Sequence, residues 1–109
     1  MNFGGMRSMW IIAMFDLPVD TPRARRAYAS FRKRLLQDGF TMMQYSVYIR
    51  HCANEDNAKV HYARIKAIVP ADGEVRVIGI TDLQFGRMQV FLGGRRKAPT
   101  AAPAQIEMF

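Results

Sequence analysis

Residues 10–15, Trp10-Ile11-Ile12-Ala13-Met14-Phe15, form an unbroken apolar run that ends on one carboxylate, Asp16, and then on Leu17-Pro18. A run this short, bounded by a turn signal, predicts a buried strand rather than a helix. Side chains alternate across a strand, so Trp10, Ile12 and Met14 share one face and Ile11, Ala13 and Phe15 the other. Both faces are apolar, and such a strand needs cover on two sides.

The helix that follows starts at Thr21-Pro22, a capping hydroxyl and then a proline at the position where its missing N–H costs nothing. It is expected to run to about Asp38 and stop at Gly39. Ala24, Tyr28, Phe31 and Leu35, with Ala27 beside them, make one apolar stripe. Arg23, Arg25, Arg26, Arg32, Lys33 and Arg34 occupy the other sides, opposed only by Asp38 at the end. A face kept merely soluble intersperses acids among its bases, so this one reads as a phosphate-binding surface.

Residues 40–50 are rich in aromatic and β-branched side chains and predict one long bent strand, or two short ones meeting near Gln44. Asn54 caps a second helix with Glu55 and Asp56 in its first turn, and Pro70 ends it. Ala58, Tyr62, Ile65, Ile68 and Val69 form its stripe. A strand over 74–81, a turn over 82–86 and a last short strand over 87–92 complete the pattern. The chain thus divides into a short extension (1–8), one domain (9–92) and a basic, Pro- and Ala-rich tail (93–109) that closes on the apolar Ile106-Glu107-Met108-Phe109.

Strand, helix, strand, strand, helix, strand is the order of an α+β ferredoxin-like sandwich, here with an extra C-terminal strand. Both helices then cover one sheet face and leave the other open. An open, wet face conflicts with the two-sided apolar first strand. A second copy resolves the conflict, and a homodimer packed through the sheet faces is expected.

A net charge of +7 in 109 residues points to a polyanionic partner. No apolar run approaches the ~20 residues of a membrane span, and residues 1–8 lack the apolar middle of a secretory signal, so a cytoplasmic location is expected. Cys52 is the sole cysteine, which excludes an internal disulfide and a thiolate cluster; it reads as a small, partly buried side chain. His51 and His61 are not spaced as a ligand pair and read as surface or helix-edge residues.

One aspartate before Leu-Pro is most often a turn former. In a dimer with the first strands near the twofold axis, two copies of Asp16 would approach and repel. A hard divalent ion, Mg²⁺ or Mn²⁺, would resolve that repulsion while keeping several waters, and could activate one of them toward a phosphodiester. The nearest other carboxylate in sequence, Asp20, belongs to the helix start.

The strand ending Met14-Phe15-Asp16-Leu17-Pro18, the basic helix, Leu35-Leu36-Gln37-Asp38-Gly39-Phe40 and Gln44-Tyr45-Ser46-Val47-Tyr48 together resemble the CRISPR-associated Cas-two family. The run from Arg25 to Leu36 is most similar to members from systems with a single RNA-guided effector nuclease. The resemblance spans roughly residues 9 to 92. It implies a ferredoxin-like homodimer, a metal at Asp16 with Mg²⁺-dependent cleavage of RNA or DNA in some members, and a place between two dimers of the integrase subunit, Cas-one, holding duplex DNA for spacer acquisition. Many members carry Tyr before the aspartate where this chain has Phe15, so any role of that hydroxyl is lost here. A different reading is a ferredoxin-like module that stacks single-stranded RNA on exposed sheet aromatics, with Trp10 or Phe15 serving.

Overall fold

A computed structural model describes residues 7–94. β1 (Met9–Asp16), α1 (Pro22–Gln37), β2 (Thr41–Gln44), β3 (Val47–Cys52), α2 (Glu55–Ile68) and β4 (Glu74–Thr81) follow in the expected order, and a short helix α3 (Asp82–Gly86) comes last. The four strands form one antiparallel sheet in the order β2-β3-β1-β4, which puts β1 in the interior. The architecture is a ferredoxin-like α+β sandwich.

The helix starts are those the sequence announces. Thr21 Oγ1 accepts from the Ala24 N–H at 3.0 Å with Pro22 opening α1, and Asn54 Oδ1 accepts from the Asn57 N–H at 2.8 Å. α1 stops at Gly39, whose φ of +88° is open to glycine at little cost. Gly79 on β4 has a different reason: a Cβ there would run into the Tyr62 hydroxyl of α2, so the sheet accepts that ring only over bare backbone.

β1 partitions its side chains as expected. Ile11, Ala13 and Phe15 join Leu17, Phe31, Leu35, Phe40, Tyr48, Cys52, Ala58 and Ile65 in the core beneath the helices. Trp10 faces the other way, with Ile49 and Phe85, and Ile12, Met43 and Ile80 pack around them. Two differences from expectation lie at the C-terminal end. Residues 82–86 are a helix rather than a turn, closed by a capping box in which Thr81 and Gln84 exchange hydrogen bonds. Its Phe85 stacks on Trp10 at 4.2 Å between ring centres, so the chain itself covers one end of the face assigned wholly to a second copy. Residues 87–92, expected as the last short strand, leave α3 and make no ladder among the described residues.

Where α1 ends against α2, the core edge is polar. Asp38 accepts from the Arg64 guanidinium at 2.7 Å and lies 2.7 Å from Nδ1 of the buried His61, while the Asp38 carbonyl accepts from Arg50 Nε. His61 is therefore a core residue, not the surface or helix-edge residue expected from its position in the sequence. Burial alone would raise the Asp38 carboxyl, but hydrogen bonds from His61 and Arg64, with their charges, hold it below its ordinary value of 3.8. Cys52, fully buried, has its thiol pushed up by the same lack of solvent, which leaves it inert.

A lowered native pKa means that Asp38 contributes stability above 3.8 and that this contribution is lost as pH falls through the native value. Asp38→Ala strands the His61 nitrogen and should cost about 2 kcal/mol, read as a fall in Tm of roughly 8–16 °C. It should also flatten the acid limb of the stability curve below about pH 4. Thermal melts across pH 2–7 check both, and an acid limb of unchanged slope in the variant would contradict the assignment.

Candidate functional site

Asp16 is the last residue of β1 and lies exposed on the sheet face turned away from the helices. It pairs across the ladder with Glu74, the first residue of β4. Directly opposed residues on an antiparallel pair put their side chains on the same face, with Cβ atoms about 5 Å apart. Two carboxylates therefore share this corner, and Asp72 lines the same shallow cleft beside Pro18 and Gly73. Glu74 is partly neutralised by Arg76 on its own strand, whose Nε donates to it at 2.8 Å.

The second carboxylate beside Asp16 is thus Glu74, not the sequence neighbour Asp20. Reading it from sequence requires the β1–β4 register, in which the residue closing one strand meets the residue opening the other. The donors are hard oxygens, the type that Mg²⁺ takes while keeping several waters. Among the described residues no group of three His, Cys, Asp or Glu side chains is arranged to hold a metal ion.

Arg23, Arg25, Arg26, Arg32, Lys33 and Arg34 are all exposed on α1. None makes an ion pair with an acid among the described residues, whose four pairs lie elsewhere. Arg25 donates to the Val19 carbonyl at 3.0 Å, which ties its guanidinium to the loop leaving β1. These cations sit on the helix side of the sheet and Asp16 on the opposite face, so a single chain does not place the carboxylate among them.

The aromatics that a single-stranded RNA reader would show on its sheet are withdrawn from solvent. Trp10 is 2% exposed beneath Phe85 and Phe15 is 7% exposed in the helix-side core. The aromatics that are displayed lie off the sheet face, Tyr45 in the β2–β3 turn and Phe91 after α3. The open remainder of the sheet face carries Met14 and Ile78, both exposed, beside half-buried Ile12.

The sequence profile described as CRISPR associated protein Cas2 matches residues 9–88. The chain belongs to this family. It is 63% identical over 101 residues to the CRISPR-associated endoribonuclease Cas2 of Parvibaculum lavamentivorans, covering 93% of this chain and all of that one. It is 46% identical over 103 residues to the protein of the same name from Flavobacterium psychrophilum, across 94% of this chain and 90% of the relative. The crystal structure of Streptococcus pyogenes Cas2 at pH 6.5 superposes with a TM-score of 0.58 at 17% identity, over 75% of this chain and 98% of that one. That likeness carries the Cas2 fold and nothing finer. Among the described residues no helix is long and apolar enough to cross a membrane.

Proposed function

We propose that this chain is a CRISPR adaptation subunit that works as a twofold dimer and holds duplex DNA between two dimers of the integrase subunit, Cas-one, during spacer acquisition. The observation that carries the reading is α1, with six exposed cations on one helix and no acid among the described residues paired to any of them. Such a helix follows a phosphate backbone without reading sequence. A dimer doubles that surface and covers Met14 and Ile78. Residues 88–92 fit the same assembly. They carry exposed Val90 and Phe91 and, among the described residues, have no partner strand, while β4 has no described neighbour on its outer edge, which a second copy can fill.

The test is co-purification with the integrase subunit followed by a spacer-integration assay, wild type against Asp16→Ala. Integration retained with the substitution supports a structural role. Loss of integration by a variant that still dimerises and still binds duplex would overturn it.

A second reading is metal-dependent cleavage of RNA or DNA, supported by the relatives' name of endoribonuclease and by the Asp16–Glu74 corner. Asp16 from each of two protomers would hold Mg²⁺ or Mn²⁺, with Glu74 opposite; the bound ion would polarise a phosphodiester and activate water. Asp16→Ala should then abolish cleavage that depends on Mg²⁺. Cleavage that survives the change assigns the activity to a different site or to a contaminant.

A further inference from the structure

The Asp16 corner carries its own cation. On β4, Glu74, Arg76 and Ile78 alternate onto the sheet face that also holds Asp16, Met14 and Ile12 of β1. Arg76 stands opposite Met14, so Asp16, two residues further along β1, is its diagonal neighbour. Diagonal neighbours lie about 7 Å apart, a gap that a long side chain spans. Arg76 is the one cation within β1 and β4, and the α1 arginines stand on the helix side of the sheet. One side chain is thus placed to serve both carboxylates. Its Nε now donates to Glu74 at 2.8 Å, and Asp16 lies within its swing.

The pairing is one that exchanges readily. Both side chains stand largely in solvent, 78% exposed for Arg76 and 65% for Glu74, and an ion pair in that setting is worth little. A hard divalent ion would draw on the same oxygens, those of Asp16 and Glu74, with twice the charge of a guanidinium. The two cations therefore compete. While Arg76 is seated, one Glu74 oxygen is taken, and a positive charge beside the corner repels an incoming ion.

We propose that Arg76 is the resident counter-cation of the Asp16–Glu74 corner and sets its affinity for a divalent ion, which binds there only in exchange for the guanidinium. This deepens the metal-dependent reading, in which Asp16 holds Mg²⁺ or Mn²⁺, and rests on it. Arg76 is a positioning residue in this role, acting on the ion through the carboxylates. With the guanidinium seated, the corner is partly neutralised from within the chain, and the DNA-holding role calls for no ion at Asp16.

The experiment titrates Mn²⁺ alone into wild type, Arg76→Gln and Arg76→Lys, each with and without Asp16→Asn. The paramagnetic resonance signal of free Mn²⁺ fades on binding, so it reads affinity without any nucleic acid or cleavage. Arg76→Gln should bind Mn²⁺ about tenfold more tightly than wild type, the effect of removing one positive charge about 6 Å from a divalent ion in water. Arg76→Lys keeps the charge and should stay near wild type. Asp16→Asn should cancel the gain, which ties it to this corner. The side chains changed are exposed, so melts in EDTA should coincide for all the proteins and separate altered binding from altered folding. A gain in Arg76→Lys equal to that in Arg76→Gln, or a gain that survives Asp16→Asn, overturns the inference. Wild type and Arg76→Gln that bind Mn²⁺ equally, each weakened by Asp16→Asn, also overturn it and leave the metal-dependent reading standing. Binding in neither protein that depends on Asp16 overturns both.

Discussion

Ile78→Asp should convert the dimer into a folded monomer. Ile78 is 51% exposed on the open sheet face and lies opposite Ile12 in the β1–β4 ladder, one register step from the Met14 position. A carboxylate at this place is well solvated in the free chain, so the fold tolerates it. In a face-to-face dimer it is buried against Met14 and Ile12, and the neighbouring cation on that face, Arg76, is already engaged by Glu74, so the cost is roughly 3 kcal/mol per unpaired charge. Twofold symmetry applies the cost in both copies, and the dissociation constant should rise roughly ten-thousand-fold. Sedimentation at micromolar concentration reads this directly, with a thermal melt as the control for folding. Wild type running as a monomer at that concentration would remove the dimer from the proposal. A variant that stays dimeric would move the interface off this face, with the open edge of β4 and residues 88–92 as the remaining surface.

What the sequence made legible here is what local chemistry determines. The alternation in residues 10–15 separates the two faces of β1 because a strand has no other way to place its side chains. Thr21 and Asn54 start their helices where capping oxygens are available, and residues 74–81 form the strand they spell. α3 was legible too, since Thr81 and Gln84 carry the spacing of a capping box, but Gly86 and the polar flanks favour a turn on a first reading. Its consequence, Phe85 over Trp10, joins residues 75 apart in the chain and follows from no local pattern. The same holds for His61 with Asp38 and for Glu74 with Asp16, pairs that exist only once the sheet and helices have docked. The display of Tyr45 depends on the left-handed Ser46, a residue type that rarely adopts that conformation and gives no signal for it.

The arginines of α1 allow the sharpest quantitative test, because a phosphate contact has a known signature in salt. Replacing Arg25, Arg26 and Arg32 together by Ala leaves helix propensity intact and removes no ion pair among the described residues, only the bond from Arg25 to the Val19 carbonyl. The fold should therefore survive. Each lost phosphate contact lowers the slope of log affinity against log salt by about 0.9 on duplex DNA. Three contacts from one protomer remove about 3 slope units, whereas six from both remove about 5, so the measured change also counts how many helices touch the duplex. Between 50 and 200 mM salt, three contacts correspond to roughly 40-fold of salt-sensitive affinity that the variant should lack. The comparison needs duplexes of unrelated sequence, because phosphate contacts weaken binding uniformly across them. A slope unchanged by the triple substitution would take α1 off the binding surface. The open sheet face, where the single cation Arg76 stands beside two carboxylates, Asp16 and Glu74, offers no comparable run of cations in its place.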